Sequence, residues 1–92
     1  MKIEWTPLAL QDRIDIFEFI ASDSVTSAGR VDDAFDSQVE QLIEHPNSGR
    51  AGRLAGTREL VVSQLPYIIV YKVAKESVLV LRVMHTARDW PT

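Results

Sequence analysis

The side chains best suited to chemistry lie in the second half of the chain. Arg50, Arg53 and Arg58 sit in or just after a glycine-rich stretch, NSGRAGRLAG. Arg82, His85 and Arg88 cluster at the end of the last apolar run, with Trp90 just beyond. Glycines let a backbone approach a phosphate closely, and guanidinium binds phosphate through two parallel hydrogen bonds. RNA can be cut without a metal if a 2′-hydroxyl is deprotonated, the phosphorane charge is stabilised and the leaving oxygen is protonated. Arginine suits the middle task and histidine either proton transfer. Each residue also has a plain reading. Arg50 and Arg53 keep a loop soluble or pair with acids, Arg58 and Glu59 are strand-edge charges, Arg82 makes a salt bridge, His85 caps a strand end and Trp90 packs on the sheet.

Other chemistry finds no support. The chain has no cysteine and only two well-separated histidines, His45 and His85. This rules out thiol nucleophiles and thiolate zinc sites, and no metal or cofactor is expected. The glycines match neither a phosphate-loop nor a dinucleotide fingerprint, and no serine sits in a nucleophile-elbow pattern.

The elements that must position these residues follow from periodicity. Residues 2–5 read as a short strand. Thr6-Pro7 opens a helix, since threonine caps well and proline at the first position loses no needed bond. Leu10, Ile14, Phe17 and Ala21 form its expected core stripe, with Asp12, Asp15 and Glu18 on the exposed side. Ile16 and Phe19 lie off that stripe, either widening the core face or forming a contact surface for a partner. A polar break at 22–27 precedes a second helix to about His45, with Ala28, Val31, Phe35, Val39 and Leu42 as its apolar stripe. Pro46 ends it. Residues 47–56 read as a flexible basic loop. Three β-rich runs follow at 57–65, 67–74 and 78–85, joined by connections too short for crossover helices, so hairpins are expected. The fold class is α+β in the order β-α-α-β-β-β: a helical hairpin packed on a small, mainly antiparallel sheet whose other face is partly open.

With 92 residues the chain has room for one domain, 1–92, with one modest core. Its net charge of −3 hides an asymmetry. Residues 1–45 carry ten acids and three bases, a net of −7; residues 46–92 carry three acids and seven bases, a net of +4. Such a protein can present one basic face to nucleic acid, or the two halves can simply attract each other. No stretch is apolar enough for a secretion signal or a membrane span, and a cytoplasmic protein without membrane association is expected.

The string GRAGRLAGTRELVV–PYIIVYKV–VLVLRVMHTARDWP resembles the RelE/ParE family of bacterial toxins. The marks are Gly49-Arg50 after His45-Pro46, Arg58-Glu59-Leu60, Pro66-Tyr67-Ile68-Ile69-Val70-Tyr71, and Leu81-Arg82-Val83-Met84-His85 followed by Arg88 and Trp90-Pro91. The resemblance implies a growth-arresting toxin that forms a hetero-oligomer with a cognate antitoxin from an adjacent gene. RelE-like members cut mRNA in the ribosomal A site; ParE-like members poison DNA gyrase. For a nuclease, Arg88, His85 and Arg82 would be the catalytic set. Arg50, Arg53, Arg58 and Trp90 would bind the target or nucleic acid, and Ile16 and Phe19 the antitoxin. RelE-like enzymes carry lysines where this chain has Glu59 and Val61, an arginine where it has Ile68, and a tyrosine in the tail. The resemblance therefore leans towards a ParE-like gyrase inhibitor, with a ribosome-dependent mRNA endoribonuclease as the alternative.

Overall fold

The computed structural model describes residues 1–88 and residue 90. Strand β1 (Lys2–Trp5) leads into α1 (Pro7–Ala21) and α2 (Val25–Glu40), which a single 3₁₀ turn extends over Gln41–Ile43. Then come β2 (Arg50–Ala51), β3 (Arg58–Val61), β4 (Tyr67–Val73) and β5 (Ser77–His85). They form one five-stranded sheet in the order β1-β5-β4-β3-β2. β1 runs parallel to β5, and all other pairings are antiparallel. This is the expected α+β architecture, with one short strand more than the sequence announces.

Local chemistry sets the helix starts. The Thr6 hydroxyl accepts from the Ala9 N–H at 3.1 Å and donates to the Leu81 carbonyl at 3.0 Å, so one side chain caps α1 and ties it to β5. Ser24 caps α2 through the Ser27 N–H. A cap of this kind contributes about 1 kcal/mol. The core lies between the helices and one sheet face. Phe35 and Val39 from α2 meet Val62, Tyr67, Ile69, Val80 and Val83, with Ile3, Trp5 and Leu60 packed at the margin. Phe35 and Tyr67 meet edge to face at 5.4 Å between ring centroids.

Helix α1 does not use the face its periodicity suggests. Leu10 and Ile14 are exposed, while Ala9 and Asp12 are buried and Ile16 packs against the core. The reason lies in the sheet. β1 pairs with β5 only as far as Val80, so residues beyond it form a bare edge, and a bare edge needs partners for its backbone groups. α1 covers that edge. Small Ala9 permits close approach, and Asp12 accepts the Val83 N–H at 2.9 Å. Asp12, expected on the exposed side, is thus a structural acid. The hairpin is braced by Arg13, which ion-pairs with Asp32 and Asp36 at 2.8 Å each and lies 4.5 Å from the centre of the Trp5 ring. Burial disfavours its charged form, but hydrogen bonds to Asp36 and Asp32 prevail and keep its pKa above the ordinary arginine value.

The 47–56 segment is also more ordered than its composition suggests. Residues 50–51 pair with Arg58 and Glu59 as β2. The Gly52 N–H bonds the Thr57 carbonyl at 2.8 Å, and a Cβ at Gly52 would lie 2.1 Å from the Thr57 hydroxyl oxygen, so only glycine closes this loop.

Candidate functional site

The sheet face away from the helices carries the candidate site. In register across the strands, Arg50 pairs with Glu59, Glu59 with Val70, and Val70 with Arg82. Glu59 is only 2% exposed. Its carboxylate accepts the Arg53 backbone N–H at 2.9 Å and meets both the Arg50 and Arg53 guanidinium groups at 3.4 Å. It is a buried organiser of the basic loop rather than a strand-edge charge.

Arg82 forms a two-bond fork with Asp12. Its Nε and Nη2 donate to Asp12 at 2.8 and 3.0 Å. Those bonds raise its pKa above the ordinary arginine value, against the opposing effect of burial. The same guanidinium lies 5.6 Å from the centre of the Trp90 ring, within cation–π range. The Trp90 carbonyl accepts from Arg53 Nη1 at 3.1 Å, while the indole N–H is buried without an acceptor among the described residues. Two arginines therefore hold Trp90, and Arg50, Arg53, Arg82 and Trp90 come together.

The remaining candidates separate from that group. Arg58 donates to the Asn47 and Gly49 carbonyls at 3.3 and 2.8 Å and closes the segment before β2. His85 is exposed, meets Tyr67 edge to face at 5.5 Å, and accepts the Ala87 N–H on Nδ1 at 3.0 Å. It acts as a turn cap, and with Nδ1 accepting, the ring proton sits on Nε2, which is left to donate. Burial pushes the Tyr67 phenol above its ordinary pKa. Arg88 is exposed in the turn after β5. Ile68 is 5% exposed and apolar. Of the two expected antitoxin contacts, Phe19 is 77% exposed, whereas Ile16 is half-buried against the core. Among the described residues, no group of three or more His, Asp or Glu could hold a metal ion.

Sequence reasoning missed Asp12, Glu59 and the exposed row Leu10–Ile14. The available signals were an acid with Leu8, Ala9 and Ile16 at helical spacing around it, and an acid running straight into Leu60-Val61-Val62 in a strand. With the partly buried Phe17, that row lines an open groove of about 620 Å³ between α1 and α2, to which Arg13, Glu18 and Asp32 also contribute.

Comparison with known proteins decides the family. A family model described as the ParE toxin of the type II toxin–antitoxin system, parDE, matches residues 3–90. The chain belongs to the ParE toxin family. It is 41% identical over 90 residues to the Putative toxin Y4kP of Sinorhizobium fredii, covering 98% of this chain and 93% of that one. It is 37% identical over 87 residues to the Toxin RelE2 of Caulobacter vibrioides, covering 95% and 97%. Its fold matches a chain of the chromosomal ParDE system from P. aeruginosa with a TM-score of 0.82 at 22% identity, over 92% of this chain and 95% of that one. A YoeB/ParE toxin from Agrobacterium tumefaciens follows at 0.64 and 18%, over 92% and 98%. As a toxin of a type II toxin–antitoxin system, this ParE-family chain has an antitoxin as its partner. No described helix is long and apolar enough to cross a membrane.

Proposed function

We propose that this toxin arrests growth by inhibiting DNA gyrase in the cytoplasm, as a ParE-like binding protein rather than a nuclease. The observation that carries this reading is the Arg82–Asp12 fork under Trp90. A guanidinium that must gather charge in a transition state needs donors free for the incoming oxygens. Arg82 spends two of its donors on a carboxylate that is already anionic. Ile68 adds neither charge nor a transferable proton, and His85 Nδ1 is occupied by a backbone N–H. On this reading Arg50, Arg53 and Trp90 form the target surface, and Arg58 supports the loop that presents it. The exposed Arg88 and the Nε2 side of His85 favour the second reading, a ribosome-dependent endoribonuclease.

One comparison separates the two. Purified toxin should make gyrase accumulate cleaved DNA and lose supercoiling activity, while mRNA from arrested cells stays intact. Unimpaired supercoiling at growth-arresting concentrations, together with cut mRNA, would assign the nuclease instead.

For the antitoxin, we propose the α1–α2 groove as the docking site, with Leu10, Ile14 and Phe17 as its apolar lining; Phe19, exposed on another side of α1, lies outside it. Ile16 belongs to the core. The carboxylates of Glu18 and Asp32 in that groove suit an amphipathic helix with basic flanks, a segment that folds as it binds.

A further inference from the structure

We propose that the surface built by Arg50, Arg53 and Trp90, with Arg88 exposed in the adjoining turn, binds the phosphate backbone of DNA, so that the toxin recognises gyrase together with its DNA. This deepens the gyrase reading and rests on it.

Three observations carry the inference. First, among the described residues, the cations of this face outnumber the carboxylates that pair with them. Glu59 is the only carboxylate that bonds Arg50 or Arg53 among the described residues, and it lies between both guanidinium groups at 3.4 Å. One negative charge balances two positive ones. The side chains of Arg50 and Arg53 remain 59% and 41% exposed, so donors face solvent. Arg88 is exposed two residues before Trp90, and Lys72 is exposed two positions beyond Val70, on the same side of β4.

Second, most of the acids are elsewhere. Ten of the thirteen lie in residues 1–45, on β1 and the helices or at their ends. A polyanion is therefore repelled from the helical side and drawn to the sheet side, despite the net charge of −3.

Third, Arg53 makes a replaceable contact. Its Nη1 donates to a neutral carbonyl, that of Trp90. A phosphate oxygen is a stronger, charge-assisted acceptor for the same donor. Glu59 acts as a positioning residue: its grip on the Arg53 backbone N–H fixes where that guanidinium points. Several arginines beside an aromatic ring suit phosphate and base better than a protein carboxylate.

The test uses a short DNA duplex and purified gyrase with and without DNA. Trp5→Phe leaves Trp90 as the sole indole reporter. The duplex should change its emission at low salt, with log affinity falling against log salt at a slope of about −2 to −3, roughly 0.9 per phosphate contact. Arg50→Gln and Arg88→Gln should each reduce that slope by about 0.9. Arg53 stays in place to neutralise Glu59, so neither variant strands a buried charge, and unchanged melting temperatures check the fold. Absence of duplex binding, or slopes unchanged in both variants, overturns the proposal. So does weakened binding to DNA-free gyrase with duplex binding intact, which would assign the face to an acidic protein surface. Normal duplex binding with no effect on gyrase would keep the DNA-binding surface and remove the gyrase reading.

Discussion

At the residue scale, Tyr71 and Gly49 form a tight joint. Tyr71 is fully buried, and its hydroxyl accepts the Gly49 N–H at 2.9 Å while donating to the Pro46 carbonyl at 2.7 Å. A Cβ at Gly49 would stand 2.6 Å from that oxygen and 2.7 Å from a ring carbon that has no room to retreat. Gly49→Ala should therefore cost about 1–3 kcal/mol, as overpacked cores do. Tyr71→Phe should cost about 1–3 kcal/mol by stranding the buried Gly49 N–H and the partly buried Pro46 carbonyl. The double variant should fall short of the sum, since losing the hydroxyl removes the nearest clash. Urea unfolding of all four proteins measures this, and strict additivity would refute the shared joint. The sequence names Gly49 and Tyr71 within a motif but gives no hint that they touch, because their contact joins positions 22 residues apart. The arginines were legible as a cationic set for the opposite reason: charge is written in residue type. Which of them is spent on a carboxylate depends on folding.

At the element scale, the informative feature is how α1 covers the β5 edge. Its most apolar stripe was expected to face the core, yet the buried line runs through Ala9 and Asp12. Periodicity reports where apolar residues lie, and it cannot tell a core from a surface kept for a partner. β1 is too short to cover β5 beyond Val80, and that shortfall draws a polar side chain inward. α2, by contrast, buries Ala28, Phe35 and Val39 as its stripe predicts. Asp12 joins α1 to β5 and indirectly to Trp90, so its removal should be felt beyond one contact. Asp12→Ala leaves Arg82 largely buried without a counter-charge and the Val83 N–H without an acceptor, and should cost about 3–5 kcal/mol. Asp12→Asn keeps an oxygen for one of these donors and should cost less. Thermal melts rank the variants. Equal melting temperatures for Asp12→Ala and the parent would show the fork to be dispensable.

At the scale of the whole molecule, the chain has two faces of opposite character. The helical side is acidic and carries the apolar α1–α2 groove; the sheet side is basic and carries Trp90. If the antitoxin docks in the groove and the target meets the sheet, single substitutions should separate neutralisation from toxicity. Ile14 is half exposed in the free toxin, so Ile14→Asp should leave its stability nearly unchanged. In the complex the same change removes a buried aliphatic side chain, worth about 1.5–3 kcal/mol, or roughly 10–100-fold in Kd. It also adds a third acid beside Glu18 and Asp32. Cells expressing Ile14→Asp should still arrest, but co-expressed antitoxin should no longer rescue them at a ratio that rescues the parent. Direct titration of the two purified proteins gives the affinity. Full rescue with an unchanged Kd would move the antitoxin off this groove, and loss of arrest with the fold intact would mean that the helical side also meets the target.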